Sequence, residues 1–302
     1  MSDRLSRRAF LAAGASAAVV AACSSGKSST PTTTVPSFGP TTPTTAPTLQ
    51  SLVLVSFSDS SALVPGSPQR VTFGLADKDG VILTTPPTTT LDFTIAIDGQ
   101  PVGTTVTATA HQQSLPRPYF PLEFTPPKAG VYDITAKSGS ASYVAHVQIP
   151  ATTGVVSAGQ KMVPVDTPTV TDQRGVELLC TRTPACPLHD VTLRQALAGG
   201  TPVAFFVGTP KFCQTAICGP VLDVLLQQKD QFPQIKMIHS EVYPSEADAQ
   251  PGQQTVTEAV STYGLTFEPV LYLAKADGTI MKRIDTIFDG VELHDALTQL
   301  TA

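Results

Sequence analysis

Between the apolar run Val203–Val207 and the helical stretch Val221–Gln228 lie two cysteines. They sit in Phe212-Cys213-Gln214-Thr215-Ala216-Ile217-Cys218-Gly219-Pro220. A buried strand handing over directly to a helix commits this part of the chain to an α/β arrangement. Free N–H groups and the dipole at a helix start stabilise a thiolate, so cysteines placed there suit redox chemistry. Their spacing adds a condition. Five residues of continuous α-helix rise about 7.5 Å, whereas a disulfide wants Cα atoms roughly 4.4–6.8 Å apart. The pair can bridge only if Cys213 precedes the helix or the first turn unwinds.

The N-terminus reads as an export signal. Arg4, Arg7 and Arg8 precede the apolar run Leu11–Ala22, which is too short to span a bilayer. Ser6-Arg7-Arg8-Ala9-Phe10-Leu11 resembles a twin-arginine signal, and Val20-Ala21-Ala22-Cys23 resembles a bacterial lipobox. The resemblance implies cleavage after residue 22 and a diacylated Cys23, a stable anchor at the extracytoplasmic face of the membrane. Of the five cysteines, four then remain: Cys180, Cys186, Cys213 and Cys218. An even number in an exported protein suggests two disulfides, with three possible connectivities. The net charge of −5 and the absence of any arginine-rich run make nucleic acid an unsuitable partner.

Residues 23–49, rich in Thr and Pro and without apolar periodicity, read as an extended tether. Residues 50–150 read as all-β. Val71/Phe73/Leu75, Leu91/Phe93/Ile95/Ile97, Phe120/Leu122/Phe124 and Tyr143/Ala145/Val147/Ile149 alternate with period two, with turns at Asp98-Gly99 and Lys128-Ala129-Gly130. About seven short strands in about 100 residues predict an immunoglobulin-like sandwich. Its histidines, His111 and His146, are expected to be surface or structural residues rather than metal ligands. Residues 151–175 form a connector. Residues 176–302 form the last domain, with 176–199 read as an N-terminal extension. From about 200 the predicted order is β-α-β-α-β-β-α, with Gly264 near a helix C-cap and a close at the capping-box-like Asp289-Gly290-Val291-Glu292.

With Cys213 after the first strand, Pro220 in the cysteine-bearing helix and Glu268-Pro269-Val270 before the third strand, this part resembles the thioredoxin-like family. The resemblance implies thiol–disulfide exchange with protein thiols, with Cys213 attacking, Cys218 resolving and a cis-Pro269 shaping the substrate groove. It implies no organic cofactor. Two departures stand out: four residues separate the cysteines where thioredoxins have two, and Val207 replaces the buried acid six residues upstream. Glu268 is expected to face Cys213 and raise its pKa, opposing Lys211 and the helix start. An alternative is an atypical two-cysteine peroxiredoxin-like thiol peroxidase, suggested by Thr209-Pro210-Lys211-Phe212-Cys213, although Glu268-Pro269 stands where its activating arginine would be. A second alternative is a non-catalytic, redoxin-shaped binding protein.

Cys180 and Cys186 flank the turn-like Thr181-Arg182-Thr183-Pro184-Ala185. The expected pairing is local: a structural disulfide Cys180–Cys186, and a redox-active Cys213–Cys218. No metal site is expected. The two cysteine pairs do not both have zinc-knuckle spacing, since five residues separate Cys180 from Cys186, and the Sco-type copper chaperones, which resemble this fold, use Cys-x-x-x-Cys with a distal histidine. Of His189, His239 and His294, His239 falls in a strand and is expected to be structural.

Overall fold

In a computed structural model, residues 48–250, 252 and 255–302 are described. The signal, Cys23 and nearly all of the tether lie outside them. No described helix is long and apolar enough to cross a membrane.

The first part contains β1 (Val53–Ser56), β2 (Gln69–Ala76), β3 (Thr90–Ile97), β4 (Gln100–Pro101), β5 (Val106–Thr109), β6 (Phe120–Phe124), β7 (Gly130–Ser138) and β8 (Ala141–Ile149). They form two antiparallel sheets, β1-β2-β6 and β4-β3-β7-β8, with β5 also paired to β3. Both sheets contribute to a single apolar core that includes Phe73, Phe93, Phe120, Leu122, Tyr132 and Ile134. This is a β-sandwich held without any cysteine. β3 alternates buried and exposed residues as its sequence predicts. The turn at Asp98-Gly99 has positive φ at both residues, 52° and 71°, which matches the twist of a two-residue hairpin.

β2 departs from its alternating pattern, since all eight of its residues are buried. Val71, Phe73 and Leu75 face the sandwich core. The polar residues between them are buried because the C-terminal part covers the other face. Arg70 donates to both carboxylate oxygens of Glu292, at 2.5 and 2.7 Å, and to the carbonyls of Asp285 and Ile287. Tyr119 Oη donates to Glu292 at 2.6 Å, and His111 Nδ1 lies 2.9 Å from Asp289 Oδ1. The hydrogen bond to Asp289 raises the His111 pKa. That contribution to stability is therefore complete below the ordinary histidine range and is lost as pH rises through the raised value. The described residues accordingly fall in one compact unit.

The second part contains α1 (Leu193–Ala198), β9 (Val203–Val207), α2 (Cys218–Gln228), β10 (Lys236–Ser240), α3 (Glu258–Tyr263), β11 (Val270–Ala274), β12 (Ile280–Asp285) and α4 (Gly290–Thr301). From β9 onward this is the predicted order of elements. The sheet runs β10-β9-β11-β12, with β10 parallel to β9 and the other neighbours antiparallel. β9 is an uninterrupted apolar run because both of its faces are covered. Ala204 and Phe206 pack with residues of α2 and α4, whereas Val203, Phe205 and Val207 pack with α1, α3 and the connector residues Val155, Met162 and Val165.

Helix α1 falls where only an extension was expected. Its start is a full capping box between Thr192 and Gln195, which the sequence Thr192-Leu193-Arg194-Gln195 carries openly. At α4 the box is only half made. Asp289 accepts from the Glu292 backbone N–H, but the Glu292 carboxylate is engaged by Arg70 and Tyr119, and Tyr119 Oη takes the Asp289 N–H. Gly264 ends α3 in the left-handed region, φ 65°, as expected of a helix C-cap.

Candidate redox site and a neighbouring thiol–imidazole cluster

β9 ends at Val207, and Gly208 and Thr209 lead into the loop that carries Cys213. Helix α2 starts only at Cys218, so Cys213 precedes it and the spacing condition is met. The two cysteines are joined as a disulfide with Cα atoms 6.0 Å apart. Ala216, at φ 54°, turns the loop between them. Cys218 is fully buried while Cys213 is partly exposed. The Cys218 backbone N–H points at Cys213 Sγ from 3.3 Å, one of the free donors of the helix start. The sandwich also reaches this loop, since Arg117 donates to the Thr215 carbonyl at 3.0 Å.

The Glu268–Pro269 peptide is cis. Pro269 packs beside Gly208, where a side chain at 208 would press on its Cβ from 3.0 Å. Glu268 Oε2 accepts from the Thr209 N–H at 2.6 Å and lies 3.5 Å from Cys218 Sγ. It sits within 4.8 Å of both sulfurs. The carboxyl therefore faces the pair as expected, but its close contact is with buried Cys218 rather than with Cys213. Burial pushes its pKa up to about 7, against the opposing hydrogen bond from Thr209. A groove of about 480 Å³ lined by Cys213, Thr215, Tyr243, Val256, Phe267 and Glu268 opens beside the disulfide.

Lys211 directs its ammonium to another partner. Its ammonium pairs with Glu246 at 2.9 Å and stacks on the Phe212 ring. Thr209 is fully buried, with its hydroxyl 3.4 Å from that of Thr181.

The expected Cys180–Cys186 disulfide is not formed; both thiols are free. The reason lies in what the two sulfurs face. Cys186 Sγ is 3.3 Å from His189 Nε2 and 3.3 Å from His239 Nδ1, and Cys180 Sγ is 3.8 Å from His239 Nδ1. The Cys186 N–H holds Cys180 Sγ alongside at 3.3 Å. The intervening loop is fixed separately, by Arg182 on Asp223 and by Thr181 on the buried Glu241. The hydrogen bond from Cys186, together with both imidazoles, holds the Cys180 thiol far below its ordinary range, while the same bond and burial push Cys186 up. His189 and His239, the latter expected to be structural, complete the cluster. The spacing Cys186-Pro187-Leu188-His189 was the signal available in the sequence. His294 lies elsewhere, 3.1 Å from Gln228 Oε1.

The two groups of residues are linked through the end of β9. His239 Nε2 is 2.9 Å from the Gly208 carbonyl, and the next residue, Thr209, donates to Glu268.

No family model matches this chain, and no curated protein matches it. Among solved structures, native E. coli alpha-2-macroglobulin is 15% identical, over 40% of this chain, with a TM-score of 0.26. Salmonella alpha-2-macroglobulin reacted with methylamine is 16% identical, over 39% of this chain, with a TM-score of 0.25. The chain spans 7% of the length of each. A likeness of that size carries no inference about function.

Proposed function

We propose that the chain is a thioredoxin-like thiol–disulfide oxidoreductase acting on protein thiols through Cys213 and Cys218. The observation that carries this reading is the carboxyl of Glu268, with a pKa near 7, standing 3.5 Å from the buried sulfur of the pair. Glu268 supplies from the loop before β11 the acid that Val207 lacks. In the reducing direction, the Cys213 thiolate attacks a substrate disulfide, forming a mixed disulfide and expelling one substrate thiolate. Glu268 takes the Cys218 proton. Cys218 sulfur then attacks Cys213 sulfur, expelling the second substrate thiolate and closing the disulfide. Two electrons pass from the pair to the substrate; run backwards, the same steps oxidise a dithiol. A group that is half ionised near neutral pH can serve both directions.

The peroxidase alternative is weaker because the Thr209 hydroxyl is buried against Thr181 and Glu268-Pro269 occupies the place of the activating arginine. Titration of the Cys213–Cys218 pair against glutathione buffers tests the proposal. A working pair equilibrates above about −300 mV; a potential well below that marks a structural bridge.

We place this activity at the extracytoplasmic face of the membrane, on a lipid anchor at Cys23, from the twin-arginine and lipobox patterns. Cys23→Ala should move the protein from the membrane fraction to the soluble one, and retention of the variant after carbonate washing would contradict the anchor.

A further inference from the structure

We propose that Cys180, Cys186, His189 and His239 form a closed tetrahedral site for one Zn²⁺. Their four ligand atoms lie within 4.8 Å of one another. Tetrahedral zinc, with Zn–S about 2.3 Å and Zn–N about 2.0–2.1 Å, sets sulfur–nitrogen and sulfur–sulfur edges of about 3.5–3.8 Å. Three of the four sulfur–nitrogen separations are 3.3, 3.3 and 3.8 Å, close to those edges, and the remaining separations stay within 4.8 Å, so drawing the four atoms onto one ion takes small side-chain shifts.

The surroundings fit as well. Gly208 C=O, 2.9 Å from His239 Nε2, accepts its N–H and leaves the Nδ1 lone pair facing both sulfurs. A backbone carbonyl behind a histidine is how metal-binding imidazoles are commonly oriented. His189 turns its Nε2 to Cys186, while its Nδ1 is buried without a partner among the described residues. With the ion on Nε2 the ring proton sits on Nδ1, and the bond to the ion has to offset the cost of leaving that N–H unpaired.

Burial and charge select the metal. Cys186, His189 and His239 are each no more than 5% exposed, and four protein ligands leave no open position, which is the structural rather than the catalytic form of a zinc site. Two thiolates and a divalent ion sum to zero, whereas Cu⁺ would leave a net negative charge in the interior. Both sulfurs would bind as thiolates, so binding releases any thiol proton that remains on them. The site would pin the 180–189 loop to β10, where the His239 N–H already donates to the Leu188 carbonyl at 3.1 Å.

The test is metal analysis of the full chain purified without chelator. One zinc per chain is expected, retained in Cys213→Ser/Cys218→Ser and reduced at least tenfold in Cys180→Ser at matched free zinc. Should Cys180→Ser fail to fold, cobalt exchange into the Cys213→Ser/Cys218→Ser chain decides the matter. Its only thiols in the described residues are then Cys180 and Cys186, and thiolate-to-cobalt charge transfer with intense tetrahedral bands is expected. Absence of those bands, copper instead of zinc, zinc that depends on Cys213 or Cys218, or a Cys180–Cys186 disulfide in the freshly purified chain would overturn the proposal.

Discussion

Glu292→Ala is expected to destabilise the protein by about 3–5 kcal/mol, because it leaves the Arg70 guanidinium buried and unpaired. The side chains of the pair are only 5% and 10% exposed. Burial alone would raise the Glu292 pKa, but Arg70, with help from Tyr119, holds it below the usual carboxylate range. Removing the carboxylate also strips Tyr119 Oη of its acceptor. For a unit of this size the loss corresponds to a drop in Tm on the order of 10 °C. The double variant Arg70→Met/Glu292→Leu should recover much of it, since an apolar pair of similar volume leaves no buried charge. Thermal unfolding of the three chains checks this. A loss below about 1 kcal/mol in Glu292→Ala would mean that the sandwich and the C-terminal part are not joined through this pair.

The second large effect is kinetic. Glu268→Gln removes the base beside Cys218, and positioned general bases contribute about 10²–10⁴-fold. Closure of the mixed disulfide should slow by about 100-fold. In the unaltered chain the rate should rise with pH through about 7, as the carboxyl ionises. In the variant that step should vanish, leaving only the ionisation of the thiol. Stability supplies an independent readout. The Glu268 pKa is raised from 4.5 to about 7 in the folded state, so the native chain holds the proton that the unfolded chain releases. Stability therefore falls as pH rises from about 4.5 to about 7, and Glu268→Gln should flatten that slope. Rapid-mixing kinetics and denaturant titrations at pH 5 and pH 8 measure the two effects separately. A rate unchanged by the substitution would remove Glu268 from the chemistry.

Local patterns in the sequence carried the alternating strands β2, β3, β6 and β8 of the sandwich, the order of elements from β9 onward and the cap at Gly264. These follow from short-range preferences in backbone conformation and apolar spacing. Contacts between distant segments were not legible. β2 was read as half-exposed because nothing local to Arg70 announces Glu292, 222 residues away. Glu292 itself read as a capping residue for the same reason. Lys211 read as a neighbour of the thiolate, but its partner Glu246 lies in another loop. The sharpest difference concerns Cys180 and Cys186. Proximity in sequence suggested that they bond to each other, while His239 arrives from β10, 53 residues beyond Cys186, and gives both sulfurs a different partner. Cysteine spacing alone could not show this; the short Cys186–His189 interval was the one local hint.

Trapping is the most direct measurement of whether Cys213 is the attacking thiol. The full chain carrying Cys218→Ser, reduced and then mixed with a labelled peptide disulfide, lacks the thiol that would release the intermediate. A stable adduct on Cys213, reversed by dithiothreitol and absent in Cys213→Ser, is the result expected. A chain in which Cys213 takes no label, or takes it no faster than an ordinary exposed cysteine, would contradict the assignment of Cys213 and Cys218 as a working redox pair.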